Sequence, residues 1–155
     1  MSKEVFLSYT WSKDTFDDIK KFHDRLEMKL RDILNDDTIS IFYDKDNITA
    51  DAKEKDFLPI LKAHLGNSQV LIILLSRNWL ESKWCNWEFD VFSKNSGRHI
   101  LPVLWESIDL DEVVAFSEEN KEKVRDLKSV DFIDKNTMDD VVISLAERIV
   151  IHLNH

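Results

Sequence analysis

The feature that most constrains the fold is an uninterrupted apolar run, "VLIILL", at residues 70–75. A strand with one face in water alternates apolar and polar residues, whereas a strand covered on both faces is apolar throughout. The run is also far too short to cross a membrane. A second run of this kind, "HILPVLW", occupies residues 99–105. Two doubly covered strands indicate a parallel sheet with helices on both of its faces.

The rest of the chain alternates between short strand-like runs and helical patterns. Further strands are predicted at residues 5–9, 39–43 and 129–133. Apolar residues at steps of three and four predict helices over residues 16–34, 57–65 and 138–153. Repeated alternation of strand and helix predicts a single flavodoxin-like domain spanning residues 1–155. Its doubly wound, five-stranded parallel sheet is expected in the order 2-1-3-4-5, with helices on both faces.

Polar and turn-forming residues mark the ends of the predicted elements. The aperiodic stretch at residues 44–55 is predicted as a loop, and Gly66 as the C-cap of the helix that follows it. Ser12 is a predicted N-cap. Residues 78–92 are expected to form a short helical turn and then a longer helix, with Ser82 as the cap between them.

Composition excludes several classes of function. The net charge of −9 argues against non-specific binding to nucleic acid or to anionic membranes. Two glycines rule out the Gly-rich loops that cradle phosphates, and one cysteine rules out an intramolecular disulfide or a zinc site built on cysteine pairs. We therefore expect no metal and no bound cofactor. The chain begins without a signal-peptide pattern, so we expect a cytoplasmic protein.

The predicted fold also predicts where a ligand would bind. In doubly wound sheets the binding crevice lies beyond the carboxyl ends of the strands, where the connections from strands 1 and 3 diverge. The polar and aromatic residues that follow the predicted strands are Ser8, Tyr9, Thr10 and Trp11, then Asp44, Lys45 and Asp46, then Ser76, Arg77 and Asn78, and finally Trp105 and Glu106. The motifs of a phosphorylated receiver domain, a flavodoxin or a G-x-S-x-G hydrolase are not present at these positions.

The helix after the third strand contains the stretch "SKWCNWEFD", residues 82–90. Cys85, Phe89 and Phe92 fall on one helical face, which we predict to be core, with Cys85 a small buried hydrophobe. Trp84 and Glu88 are neighbours on a different face. The residues alone leave two interpretations of Glu88: an exposed glutamate beside a half-buried tryptophan, or a carboxylate held against an aromatic ring for chemistry.

Four segments, in this order, resemble the characteristic boxes of the TIR (Toll/interleukin-1 receptor) domain family. They are "VFLSYTWSKD" from Val5, "IFYDKDNI" from Ile41, "SQVLIILLSRNWLESKWCNWEFD" from Ser68 and "ILPVLW" from Ile100. The resemblance runs from Val5 to the end of the chain. Two departures stand out: "NITADAK" lacks the Pro-Gly pair usual in the family's BB loop, and Thr10 and Trp11 stand where other members often have arginine.

The resemblance implies a bacterial-type enzyme that cleaves NAD+, as substrate rather than cofactor, into nicotinamide and ADP-ribose or a cyclic ADP-ribose. Glu88 matches the catalytic glutamate of NAD-cleaving members. The expected substrate-binding residues are Trp84, Ser8, Tyr9, Thr10, Trp11, Asp44, Asp46 and Ser76. The family further implies activation by TIR–TIR self-association in anti-phage defence, with a sensor region following in a longer protein. The alternative is a non-catalytic adaptor that signals through TIR–TIR contacts.

Overall fold

A computed structural model describes residues 4–10, 16–43, 54–94, 99–106, 117–125 and 137–153. The strands are β1 (Glu4–Ser8), β2 (Ser40–Phe42), β3 (Ser68–Leu75) and β4 (His99–Leu104). The helices are α1 (Phe16–Leu34), α2 (Glu54–Asn67), α3 (Arg77–Glu81), α4 (Lys83–Ser93), α5 (Glu118–Arg125) and α6 (Met138–Leu153).

The strands form one parallel sheet in the order β2-β1-β3-β4. In the register of the central pair, Ser8 at the carboxyl end of β1 is opposite Ile73 of β3. The flavodoxin-like α/β fold and the order of its first four strands are confirmed. The predicted fifth strand, at residues 129–133, and the predicted cap Ser12 lie outside the described residues.

The apolar run in β3 divides its side chains between two cores. Val70, Ile72 and Leu74 belong to the cluster formed with α1 and α6, whereas Leu71, Ile73 and Leu75 belong to the cluster formed with α2, α3 and α4. All six side chains are buried. Burial of each stabilises the fold by roughly 1.5–3 kcal/mol relative to exposure. The continuous apolar pattern is therefore explained by helices on both faces of β3, as predicted.

Helix α1 is followed by an asparagine whose backbone lies in the left-handed region. Asn35 has a φ of 49°, a conformation that Gly and Asn adopt most readily. The backbone N–H of Asn35 donates to the carbonyl of Asp32 at 3.3 Å, and that of Asp36 donates to the carbonyl of Arg31 at 3.1 Å. This pair of bonds is a Schellman motif, which satisfies carbonyls that the helix end leaves without partners.

Helix α2 differs from its prediction at both ends. It begins at Glu54, so Glu54 and Lys55 belong to the helix rather than to the predicted loop. The prediction that Gly66 caps the helix is wrong, because α2 continues to Asn67 and β3 begins at the next residue. The hydroxyl of Ser68 donates to the carbonyl of His64 at 2.6 Å. A serine hydroxyl thus satisfies a terminal carbonyl, and a left-handed glycine is not needed there.

Candidate functional site at the carboxyl ends of the strands

Two short connections bring α4 to the carboxyl end of β1. Ser76 is the N-cap of α3, and its hydroxyl accepts from the backbone N–H of Trp79 at 3.0 Å. Ser82 ends α3 and is also the N-cap of α4, where its hydroxyl accepts from the backbone N–H of Cys85 at 3.2 Å. Because one residue separates the two helices, this predicted cap determines how α4 leaves α3.

Glu88 is a buried carboxylate that accepts a hydrogen bond from another element, β1. Its side chain is on α4 and Glu88 is 6% exposed. The hydroxyl of Ser8, at the end of β1, donates to Glu88 Oε1 at 2.9 Å. The indole Nε1–H of Trp79, on α3, donates to the Ser8 hydroxyl oxygen at 2.9 Å. A charge removed from water is costly unless it is hydrogen-bonded, so a buried carboxylate in a binding crevice is a candidate for function.

Cys85 lies beside this carboxylate but is not a reactive thiol. It is buried, its Sγ donates to the carbonyl of Tyr9 at 3.5 Å, and Sγ lies 3.9 Å from Thr10 Oγ1. Burial, and next the negative charge of Glu88, raise the pKa of the Cys85 thiol to about 12. The thiolate is the nucleophilic form, and this thiol stays protonated at neutral pH. The prediction that Cys85, Phe89 and Phe92 are core residues is confirmed.

A small cavity of about 60 Å³ marks the crevice itself. Its lining comes from the ends of β1, β3 and β4 and from α1 and α3: Tyr9, Thr10, Ile19, Leu74, Ser76, Asn78, Trp105 and Glu106. The carboxylate of Glu106 accepts from the backbone N–H of Arg77 at 2.6 Å, which joins the end of β4 to the start of α3. Three predicted site residues, Tyr9, Thr10 and Ser76, therefore lie together at the crevice.

Aromatic rings continue from the crevice toward β2. The ring of Tyr9 lies 6.0 Å from the ring of Tyr43, which follows β2, and Tyr43 stacks on His23 of α1 at 3.8 Å. His23 Nε2 is 2.7 Å from the carbonyl of Ile41. The sequence places Tyr43 only at the end of a strand, and the structure adds it as a neighbour of the crevice residue Tyr9.

Trp84, on α4, packs against the helices beside the site. It is half-buried against the core cluster of α2, α3 and α4, and its ring meets the ring of Trp87 edge-on, at 6.2 Å and 86°. The predicted site residues Trp11, Asp44 and Asp46 lie outside the described residues. Their closeness to Glu88 stays a prediction.

A larger open groove, of about 700 Å³, runs along α1 and α6. It includes Asn35 and Asp37 of the turn before β2, which places it toward the amino ends of the strands, away from Glu88. Arg25 and Asp139 form an ion pair across it at 3.0 Å. We place the candidate site at the edge that holds the smaller crevice, because the carboxyl ends of the strands converge there. Glu88 does not line this cavity, but its hydrogen bond with Ser8 joins it to the end of β1 at the same edge.

The described residues contain no group of three or more His, Cys, Asp and Glu side chains arranged to hold a metal ion. Within the same residues, none of the helices is long and apolar enough to cross a membrane.

Fold and site together define a flavodoxin-like α/β domain with a hydrogen-bonded carboxylate at its carboxyl edge, where such sheets bind ligands. Comparison with known families is consistent with this class. The TIR domain family model matches residues 5–145, and the chain belongs to that family. No curated protein sequence matches it.

Two solved TIR-domain structures are similar to the chain, and the first shares its fold. The TIR domain of the Toll-related receptor TRR-2 from Hydra magnipapillata is 15% identical, with a TM-score of 0.61, covering 94% of this chain and 97% of that one. The TIR domains of the activated Roq1 resistosome recognising the effector XopQ are 20% identical, with a TM-score of 0.49, covering 99% of this chain and 84% of that one.

Proposed function

We propose that this TIR domain cleaves NAD+ at the nicotinamide–ribose bond, with Glu88 as the catalytic carboxylate. The observation that supports this most is the burial of Glu88 at the carboxyl edge of the sheet, where it accepts a hydrogen bond from Ser8 at 2.9 Å. Glu88 also matches the glutamate of the NAD-cleaving branch of the family. The products are nicotinamide and ADP-ribose, or a cyclic ADP-ribose if an atom of the substrate attacks in place of water.

One carboxylate is sufficient for this chemistry. Glycosidases commonly use two, because a general acid must protonate the departing oxygen. In NAD+ the leaving group is a pyridinium, which departs as neutral nicotinamide without receiving a proton. The C–N bond breaks with its electron pair on nicotinamide, and positive charge grows on the ribose. A fixed carboxylate in a site that excludes water stabilises that charge.

The nicotinamide riboside half of the substrate would enter at Tyr9, Thr10 and Ser76. We keep Trp84, Trp11, Asp44 and Asp46 as proposed contacts on the strength of the family resemblance. The crevice volume of about 60 Å³ is well below the roughly 300–1,000 Å³ typical of ligand pockets. We propose that this edge opens when NAD+ binds. We propose that self-association of TIR domains drives that opening, which makes the isolated domain a weak enzyme.

The proposal is tested by following NAD+ and nicotinamide chromatographically at high protein concentration, with and without a crowding agent. Glu88→Gln keeps the size of the side chain and removes its charge, and we expect it to lower nicotinamide release by about 100-fold or more. Glu81→Gln is the matched control, because Glu81 is an exposed glutamate on the adjacent helix, paired with Arg77 at 3.1 Å. Release by Glu88→Gln as fast as by the wild type would show that Glu88 is not catalytic.

The same experiment separates the enzyme from a non-catalytic adaptor. An adaptor would consume no nucleotide in any state of assembly and would bind a partner TIR domain with micromolar affinity. The setting implied by the family, depletion of NAD+ during anti-phage defence, depends on the enzymatic outcome.

A further inference from the structure

We propose that Trp79 and Ser8 are positioning residues that hold Glu88 as a correctly oriented carboxylate. This inference rests on the proposed function of Glu88. The two hydrogen bonds form a relay: Trp79 Nε1–H donates to Ser8 Oγ at 2.9 Å, and Ser8 Oγ–H donates to Glu88 Oε1 at 2.9 Å. We refer to Trp79, Ser8 and Glu88 as the relay.

The direction of the relay follows from its first member. An indole N–H donates and never accepts, so the Ser8 oxygen must be the acceptor of the first bond. The hydroxyl has one proton, and the second bond directs that proton to Glu88. A serine without such a donor is free to turn its hydroxyl toward other acceptors. Trp79 therefore selects the rotamer in which Ser8 supports the ionised form of Glu88.

The relay is built on rigid elements. Ser8 is on β1, which pairs with both β2 and β3. Trp79 is fully buried, and its ring meets the ring of Phe89 edge-on at 6.1 Å and 89°. Ser8 is 1% exposed. The three members of the relay thus lie on a strand and two helices rather than on loops, which favours a fixed geometry.

Stability alone does not account for this arrangement. Replacing all members of a buried hydrogen-bonded or ion-paired set together by apolar side chains of similar volume is often neutral or stabilising. A site needed only for stability would therefore accept apolar side chains at positions 8 and 88 together, with no N–H donor from Trp79. The relay stabilises the charge itself, which is the property that the proposed reaction uses.

The relay gives Ser8 a role different from direct contact with substrate. Its hydroxyl accepts from Trp79 and donates to Glu88, and it is buried. Loss of either donor should therefore lower kcat and leave KM nearly unchanged. Without the donated hydrogen bond the carboxylate holds its proton to higher pH, so the acid limb of the pH profile of nicotinamide release should move upward.

The titratable group beside Glu88 on its own helix is Cys85, which remains neutral until strongly alkaline pH. The hydrogen bonds of the relay come from Ser8 of β1 and Trp79 of α3, neither of which ionises in this range. The charged residues of α3, Arg77 and Glu81, are exposed and paired with each other. We therefore expect the acid limb to respond to changes in the relay.

The kinetic test compares Ser8→Ala, Trp79→Phe and the double variant. We expect kcat to fall about 10- to 100-fold in Ser8→Ala and about 3- to 10-fold in Trp79→Phe, each with the acid limb moved to higher pH. Because Trp79 acts only through Ser8, adding Trp79→Phe to Ser8→Ala should change kcat no further. Phe92→Leu is the control, since it perturbs the same core without touching the relay and should leave the pH profile in place.

Trp79→Phe also removes packing volume, so a second variant isolates the N–H group. Replacing Trp79 by 3-benzothienylalanine puts sulfur in place of the N–H and preserves the ring shape. It should reproduce the lower kcat and the shifted acid limb. Wild-type kcat and pH profile in both Ser8→Ala and the benzothienyl variant, in a protein that does cleave NAD+, would overturn the relay while leaving the proposed function intact.

A spectroscopic measurement that does not require enzymatic activity distinguishes the relay from the proposed NAD+ cleavage. In ¹H–¹⁵N spectra the indole N–H signal of Trp79, assigned from its loss in Trp79→Phe, should shift as Glu88 titrates. That shift should disappear in Ser8→Ala and in Glu88→Gln. If it behaves so in a protein that releases no nicotinamide, the relay stands and the proposed function fails. A Trp79 signal whose pH dependence survives in Glu88→Gln contradicts the relay.

Discussion

The buried thiol of Cys85 should make the domain unusually sensitive to alkaline pH. Burial and the charge of Glu88 raise the pKa of Cys85 from the ordinary 9.0 to about 12 in the folded protein. Between these two values the unfolded chain releases the thiol proton and the folded chain keeps it. Since the folded state then binds more protons, a rise in pH favours unfolding. The stabilising effect is complete below pH 9 and is lost as the pH rises toward 12.

The size of the effect follows from the same two values. Each pH unit within the window costs about 1.4 kcal/mol of unfolding free energy, so this one group can remove about 4 kcal/mol over the whole range. From pH 8 to pH 10 the expected loss is about 1 kcal/mol. A domain of this size is stable by about 5–15 kcal/mol, so it remains folded at pH 10 and its unfolding can be measured.

The assay is urea unfolding of the wild type and Cys85→Ala at pH 8 and pH 10. The variant loses packing at both pH values, but it lacks the thiol, so comparing the two pH-dependent drops isolates the titration of Cys85. Tyrosines and lysines, which titrate in the same range, are present in both proteins and cancel. We expect the drop to be about 1 kcal/mol larger in the wild type. Equal drops, within about 0.3 kcal/mol, would refute the assignment of Cys85 as a desolvated thiol held neutral by the fold.

Two further predictions concern stability and are measured by urea unfolding at neutral pH. Asn35→Ala should cost about 1 kcal/mol because alanine is strained at a φ of 49°, whereas Asn35→Gly should cost little or nothing, and equal losses would contradict the strain argument. Leu145→Ala should cost about 2–5 kcal/mol because Leu145 is fully buried between α6 and the sheet, while Ile143→Ala, at a residue 41% exposed on the same helix, should cost under about 1 kcal/mol. Similar losses in these two variants would show that α6 packs by another face.

Much of the fold was predictable because its strongest patterns are local. The apolar steps of α1 and α6 gave both helices at their observed bounds, Phe16–Leu34 and Met138–Leu153. The continuous run in β3 correctly indicated helices on both faces. The prediction for Gly66 was wrong because the hydroxyl of Ser68, and not a glycine cap, satisfies a terminal carbonyl of α2. The hydrogen bond from Ser68 to the carbonyl of His64 depends on how α2 meets β3. Propensity at a single glycine does not contain that information.

The candidate site was predictable in location but not in its contacts. The carboxyl edge follows from the sheet order, and Glu88 was placed there by the segments around it. The hydrogen bond that it accepts, however, comes from Ser8, 80 residues away, and the bond from Trp79 to Ser8 joins residues 71 positions apart. The only local signal for Trp79 was its position in the first helical turn after β3. A tryptophan at that position is also expected in an ordinary core, and Trp79 is a core residue. Helical periodicity therefore does not distinguish a tryptophan that only packs from one that also donates a hydrogen bond to Ser8.

The edge strand β2 contributes only three residues, Ser40–Phe42, and lies at one end of the described sheet. A short edge offers few open backbone donors and acceptors, so it is a poor template for another strand. We propose that copies of this domain assemble for activation. Because β2 is a poor template for another strand, we expect the copies to contact each other through side chains of helices and loops. A sheet that continues through β2 from one copy to the next is disfavoured. Assemblies held by such surfaces can separate again, whereas strands stacked into continuous sheets are extremely stable. On the β2 side of the sheet, the three-residue edge thus favours repeated assembly and release over irreversible aggregation.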